Sequence, residues 1–235
     1  MIRTNKYPVP NLIRPSHVLV SVFDKTGLEV LVEAVLRANP QAMFYSTGGT
    51  ETKLLKILGS RAGTNYMSVE TFTGCPEMEG GLVKTLHPKI HAGLLAERGN
   101  PNHERYLSED MAQFGQGPGV YFDIFVGGLY PFDKVVQEEG STAETARCNI
   151  DIGGPTMTMA AAKNWHSVAV LTQVEQYEEL ARKLAANGGF ISAASRFRLA
   201  VEAISVVSDF RFGNWAYFSH LDFQRDVLPT IELVP

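Results

Sequence analysis

The sequence predicts an α/β fold built on a parallel sheet, followed by a helical C-terminal extension. Three observations carry that expectation. Apolar runs at 17–23, 42–45, 121–126 and 167–171 lack strict alternation; helical patterns separate them; and turns rich in glycine and hydroxyl groups follow the first two. Strands covered on both faces read as unbroken apolar runs, and helices between strands imply right-handed crossovers.

The first run ends in Asp24-Lys25-Thr26-Gly27, and an amphipathic helix follows through Leu28, Leu31, Val32, Val35 and Leu36. The second ends in Ser46-Thr47-Gly48-Gly49-Thr50, ahead of a helix with Leu54, Leu55, Ile57 and Leu58. Adjacent glycines let backbone N–H groups approach a ligand, and the helix opening behind them adds partial positive charge. Ligands of open α/β sheets bind at carboxyl strand ends, so Lys25, Thr26 and the Ser-Thr-Gly-Gly-Thr turn suit a phosphate monoester. An ordinary glycine-rich strand-to-helix turn is the alternative for each motif alone.

A weaker fifth strand is expected near 66–69, and Gly115-Gln116-Gly117-Pro118-Gly119 reads as a flexible loop. Residues 174–186 form a helix closed by Asn187-Gly188-Gly189. From 192 to about 220 a long or broken helix follows, with Phe197, Leu199, Ala200, Ala203, Ile204 and Val207 as its buried stripe. The organisation expected is an arm over 1–15, one domain over 16–222 whose α/β core ends near 172, and an extended tail over 223–235.

Composition narrows the function classes. The chain has 235 residues, 45% of them apolar, with no run as long as a membrane span and no apolar signal core at its start. Cys75 and Cys148 stand far apart, so a disulfide framework is not expected and a reducing cytoplasm fits. Net charge is −4 without a Lys/Arg block, which argues against nucleic acid as a partner but allows a local basic pocket.

Further along, Lys84, Thr85, His87, Lys89 and His91 crowd one loop, a pattern more often functional than decorative. His87 and His91 have the spacing of two metal ligands on a helix, but no third ligand follows; structural histidines are the preferred reading and no metal is expected. Tyr130 ends the 121–126 run, as a plug on the sheet edge or a phenol beside the pocket. Asp151 precedes a Gly153-Gly154-Pro155 helix start whose N–H groups suit an anion or oxyanion. Lys163 ends that helix, roughly 12 Å along its axis from Pro155, and is alternatively a favourable C-terminal cation.

In this order, Asp-Lys-Thr-Gly, Ser-Thr-Gly-Gly-Thr, Phe-Thr-Gly-Cys-Pro-Glu-Met, Val-Lys-Thr-Leu-His-Pro-Lys-Ile-His-Ala-Gly, Leu-Tyr-Pro-Phe, Ile-Asp-Ile-Gly-Gly-Pro-Thr and Ala-Ala-Lys-Asn resemble the inosine monophosphate cyclohydrolase family over roughly 18–218. The resemblance implies a methylglyoxal-synthase-like, Rossmann-type three-layer core that binds a purine ribonucleotide monophosphate. It implies dehydrative closure of 5-formamidoimidazole-4-carboxamide ribotide to inosine monophosphate, without cofactor. Lys84, Tyr130, Asp151 and Lys163 would be catalytic, and Lys25, Thr26, Thr47, Gly48, Gly49, Thr50, Thr85 and Ile152 would bind substrate. It further implies a free-standing cyclohydrolase, expected as a homodimer, with a separate formyltransferase left open as a partner.

Four positions depart from the family pattern: Phe23 replaces a serine, Leu82 an arginine, Gly128 an asparagine and Trp165 a histidine. Lost polar contacts at about 1.5–3 kcal/mol each would weaken nucleotide binding. Against the cyclohydrolase stand a methylglyoxal synthase, which leaves the motifs from Lys84 to Lys163 unexplained, a non-catalytic nucleotide sensor, and a structural or oligomer-forming module.

Overall fold

The computed structural model describes residues 6–79 and 83–234. Leu82, one of the four departures, lies outside the described residues. In chain order the elements are β1 (Leu12–Ile13), β2 (His17–Val22), α1 (Leu28–Ala38), β3 (Met43–Ser46), α2 (Gly48–Leu58), α3 (Ala62–Asn65), β4 (Tyr66–Ser68), α4 (Val69–Thr73), α5 (Pro88–Leu95) and α6 (Pro101–Arg105). They continue with β5 (Ile124–Gly128), α7 (Phe132–Gln137), α8 (Ala143–Cys148), α9 (Gly153–Lys163), β6 (Ala169–Leu171), α10 (Glu175–Ala186), β7 (Ile191–Ser192) and α11 (Ala193–Ser219).

Five strands form one sheet in the order β4-β3-β2-β5-β6, every pair parallel. Val18, Leu19 and Val20, Ile124 to Val126 and Ala169 to Leu171 are all buried, as strands with helices on both faces must be. Helix α1 packs on α10, while α9 packs against α5 and α11. The chain runs outward from β2 to β4, then returns to place β5 on the other side of β2. That reversal opens a crevice at the carboxyl ends of β2 and β5, where ligands of such sheets bind. Register brings those ends level: Val20 pairs with Ser46, and Val22 with Gly128.

Several sequence expectations are corrected. The 121–126 run becomes a strand only from Ile124, because Asp123 accepts the N–H groups of Ser16 and His17 at the sheet's amino edge. The loop at 115–119 is tied down rather than flexible. Buried Lys89 donates to the carbonyls of Phe114, Gln116 and Gly117 at 2.5, 3.3 and 2.7 Å, and Gln116 N–H reaches Thr71 O. On α11, Phe197 and Ile204 are exposed, and Arg196 joins Leu199, Ala200, Ala203 and Val207 on the buried face. At about 100° per residue, Phe197 falls on the flank of the stripe that position 196 centres. Residues 223–230 are short helical turns rather than extended, opened by the Asp222 side chain accepting Arg225 N–H. In the N-terminal arm, β1 pairs antiparallel with β7.

Candidate functional site

A cleft of about 420 Å³ opens at the switch point. Four loops at carboxyl strand ends or helix starts line it, and each brings a different chemistry.

The loop after β2 is fixed by Phe23 N–H bonding to Gly128 O at 3.2 Å. Gly27 turns it with φ of 69°, a left-handed conformation suited to glycine, and α1 follows. Lys25 lines the cleft and leans toward the second loop: a Cβ built on Gly49 would lie 3.6 Å from its Cε. Its ammonium donates to Phe23 O at 2.9 Å. Thr26 does not line the cleft; its N–H bonds Asp24 Oδ1 and organises the turn.

The second loop, after β3, delivers Thr47, Gly49 and Thr50 to the cleft. Thr47 caps α2 without a side-chain capping bond, which leaves the first N–H groups of the helix open toward an anion. Thr50 Oγ1 donates to Val22 O at 3.0 Å, so this hydroxyl bridges β2 and α2. Gly48 faces a smaller neighbouring pocket, against the Lys84 ammonium.

Lys84, Thr85 and Leu86 form the third wall. Lys84 pairs with Glu77 at 2.5 Å. Nothing in the spacing of the sequence singles out Glu77; only the Cys-Pro-Glu-Met stretch that contains it carried a resemblance.

The fourth wall comes from Tyr130, after β5, and the start of α9. Asp151 Oδ1 accepts Gly154 N–H at 2.8 Å. A Cβ on Gly154 would fall 2.4 Å from Asp151 Oδ2, so glycine is required for this close approach. Burial raises the Asp151 carboxyl above its usual range, and the N–H groups of Gly154 and Tyr130 offset part of that. Ile152 lines the rim and is exposed.

Lys163 is not brought into the cleft. It ends α9, about 15 Å along the axis from the glycines that face the site, and is exposed. Spacing along a helix fixed its distance but not the direction in which the helix points away from the sheet. Trp165 likewise stands outside, packed on Phe197 with ring centroids 5.1 Å apart. Phe23 and Gly128 do line the cleft.

His87 caps α5, its Nδ1 accepting Lys89 N–H at 3.1 Å, while His91 Nε2 is buried without a partner. Among the described residues no group of three His, Cys, Asp or Glu is arranged to hold a metal ion. Cys75 and Cys148 are both free thiols. No helix among the described residues is long and apolar enough to cross a membrane.

A parallel α/β sheet that turns two helix N-termini and two lysines into one switch-point cleft defines a domain with a methylglyoxal-synthase-like core. Comparison with known proteins sharpens the class. The family model described as AICARFT/IMPCHase bienzyme matches residues 161–230. The chain is 44% identical over 185 residues to the bifunctional purine biosynthesis protein PurH of Synechococcus sp. (strain CC9902), covering 79% of this chain and 33% of that protein. To PurH of Magnetococcus marinus it is 42% identical over 199 residues, covering 84% and 35%. The crystal structure of ForH superimposes with a TM-score of 0.65 at 26% identity, over 86% of this chain and 97% of that one. The chain spans about a third of the length of the PurH relatives it matches, and over that third it is similar to them.

Proposed function

We propose that the cleft binds a purine ribonucleotide 5′-monophosphate and closes 5-formamidoimidazole-4-carboxamide ribotide to inosine monophosphate. One observation carries this reading. The α2 N-terminus with Lys25 and the α9 N-terminus with the half-buried carboxyl of Asp151 form two walls of a single cleft. The first wall suits a phosphate, the second a ring-closing centre.

In the reaction the carboxamide nitrogen forms a C–N bond to the formyl carbon. The carboxamide nitrogen loses one proton and the formamido nitrogen the other as it becomes the ring imine nitrogen, and the formyl oxygen leaves with both as water. Binding both groups on one ribotide supplies orientation. Asp151, its carboxyl made more basic by burial, takes a proton from the attacking nitrogen. Lys84, Thr85 and the N–H groups opening α9 stabilise the oxygen as it gains charge. Tyr130 orients the ring. Lys25, Thr47, Gly49 and Thr50 form the phosphate end, with Gly48 and Thr26 shaping its turns. The scheme calls on no metal and no cofactor. A cytoplasmic homodimer served by a separate formyltransferase is the setting proposed for it.

The test is incubation of the chain with the formamido ribotide while inosine monophosphate absorbance is followed. Wild type should form product, and Lys84→Ala and Asp151→Asn should each lower kcat by about 10²–10³-fold with a smaller change in nucleotide affinity. A second reading, a non-catalytic nucleotide sensor, is favoured by the position of Lys163 outside the cleft. Tight inosine monophosphate binding without product from the ribotide would select it.

A further inference from the structure

Phe23 has no part in the scheme above, yet it stands half exposed on the wall of the cleft. Its backbone is fixed, because its N–H extends the β2–β5 pairing to Gly128 O. Its ring meets Tyr130 edge to face, with centroids 4.7 Å apart and planes at 78°. Two such rings at nearly a right angle form a corner. A flat heterocycle entering it meets the face of one ring and the edge of the other, the two arrangements that aromatic quadrupoles favour.

The turn divides the cleft. Lys25 leans to Gly49 at the phosphate wall, whereas Phe23 leans to Tyr130, whose own N–H faces the Asp151 carboxyl. Gly128 adds no side chain between them. A Cβ there would lie 3.3 Å from Val22 Cβ and 3.5 Å from Phe23 N, so a larger residue would press on this same turn.

We infer that Phe23 is a specificity-determining residue: with Tyr130 it forms an aromatic corner that receives the planar base of the nucleotide. The inference rests on the reading of the cleft as a nucleotide monophosphate site. It assigns recognition of the base to ring packing beside the phosphate contacts, and so separates a nucleotide from a bare sugar phosphate.

Calorimetric titration of the chain with inosine 5′-monophosphate and with ribose 5-phosphate tests it. Phe23→Ala should weaken inosine monophosphate about tenfold and change ribose 5-phosphate less than twofold. Phe23→Tyr should keep wild-type affinity for both, and Phe23→Leu should fall between. Circular dichroism on each variant checks that the fold is intact; because the ring is half exposed, the alanine variant should fold. Equal changes for the two ligands, or unchanged inosine monophosphate affinity in Phe23→Ala, would overturn the inference while leaving the cleft reading in place. Failure of wild type to bind either ligand would overturn both.

Discussion

At the scale of single residues, the site keeps a carboxyl where water would not. Asp151 is raised by burial, so between the ordinary carboxylate range and its raised value the folded chain binds more protons than the unfolded one. Stability therefore falls as pH rises through that window, and a neutral isostere removes the loss. Asp151→Asn can still accept Gly154 N–H. We expect its Tm at neutral pH to rise by about 2–4 °C, equivalent to about 1 kcal/mol at this chain length, while turnover collapses. A variant with wild-type Tm at neutral pH would show that the buried charge costs nothing. His17 works in the opposite sense. Burial first, and the nearby Arg98 charge second, lower its imidazole to about 4. The unfolded chain then binds the extra proton, so stability is fully present above about pH 6.5 and declines as pH falls toward about 4. Thermal melts over that range should show a steeper acid loss in wild type than in His17→Gln, and parallel curves would exclude His17 as the source.

At the scale of elements, Lys89 turns a loop into a support. Its ammonium reaches three carbonyls of the 114–117 segment and lies 4.3 Å from the centroid of the Phe72 ring, while burial lowers its pKa. Gly115 packs on Gly74, where a Cβ would lie 2.7 Å from Gly115 N, so this segment braces the chain that leads to Glu77 and its partner Lys84. Replacing Lys89 by Met keeps much of the volume but leaves those carbonyls without their donor. The cost should be about 2–4 kcal/mol. Limited proteolysis should then cut near 115–119 faster than in wild type; unchanged cleavage together with unchanged Tm would mean the loop holds itself.

At the scale of the whole molecule, Arg196 ties the N-terminal arm to the α/β core. Fully buried, it donates to the carbonyls of Pro10, Asn11, Trp165, His166 and Ile191. Burial lowers it to about 10, yet the guanidinium is retained because five N–H groups in a rigid fork satisfy five acceptors. Lysine offers three donors at one point. Arg196→Lys should cost about 2 kcal/mol, or roughly 4–8 °C in Tm, with the arm digested before the core. A variant that melts as wild type does would show that β1 is held by its pairing with β7 alone.

The sequence by itself pointed to the sheet, because unbroken apolar runs such as those around Val18 to Val20 and Ala169 to Leu171, separated by helical patterns, suit strands covered on both faces. It determined the two glycine- and hydroxyl-rich turns and the Asp151-Gly153-Gly154 helix start as well, since glycine and hydroxyl content acts locally through the backbone. Only the tertiary structure decided which of these meet. The return of β5 beside β2 brought Tyr130 and Asp151 into one cleft with Lys25 and Gly49, a long-range arrangement that no local pattern encodes. It also set Lys163 aside, gave Thr50 a bridging role, paired Lys84 with Glu77 and put Arg196 rather than Phe197 inside. Each is a contact that no element's periodicity encodes, or a direction in space. Periodicity fixes spacing along an element, but the packing of elements fixes where each side chain points.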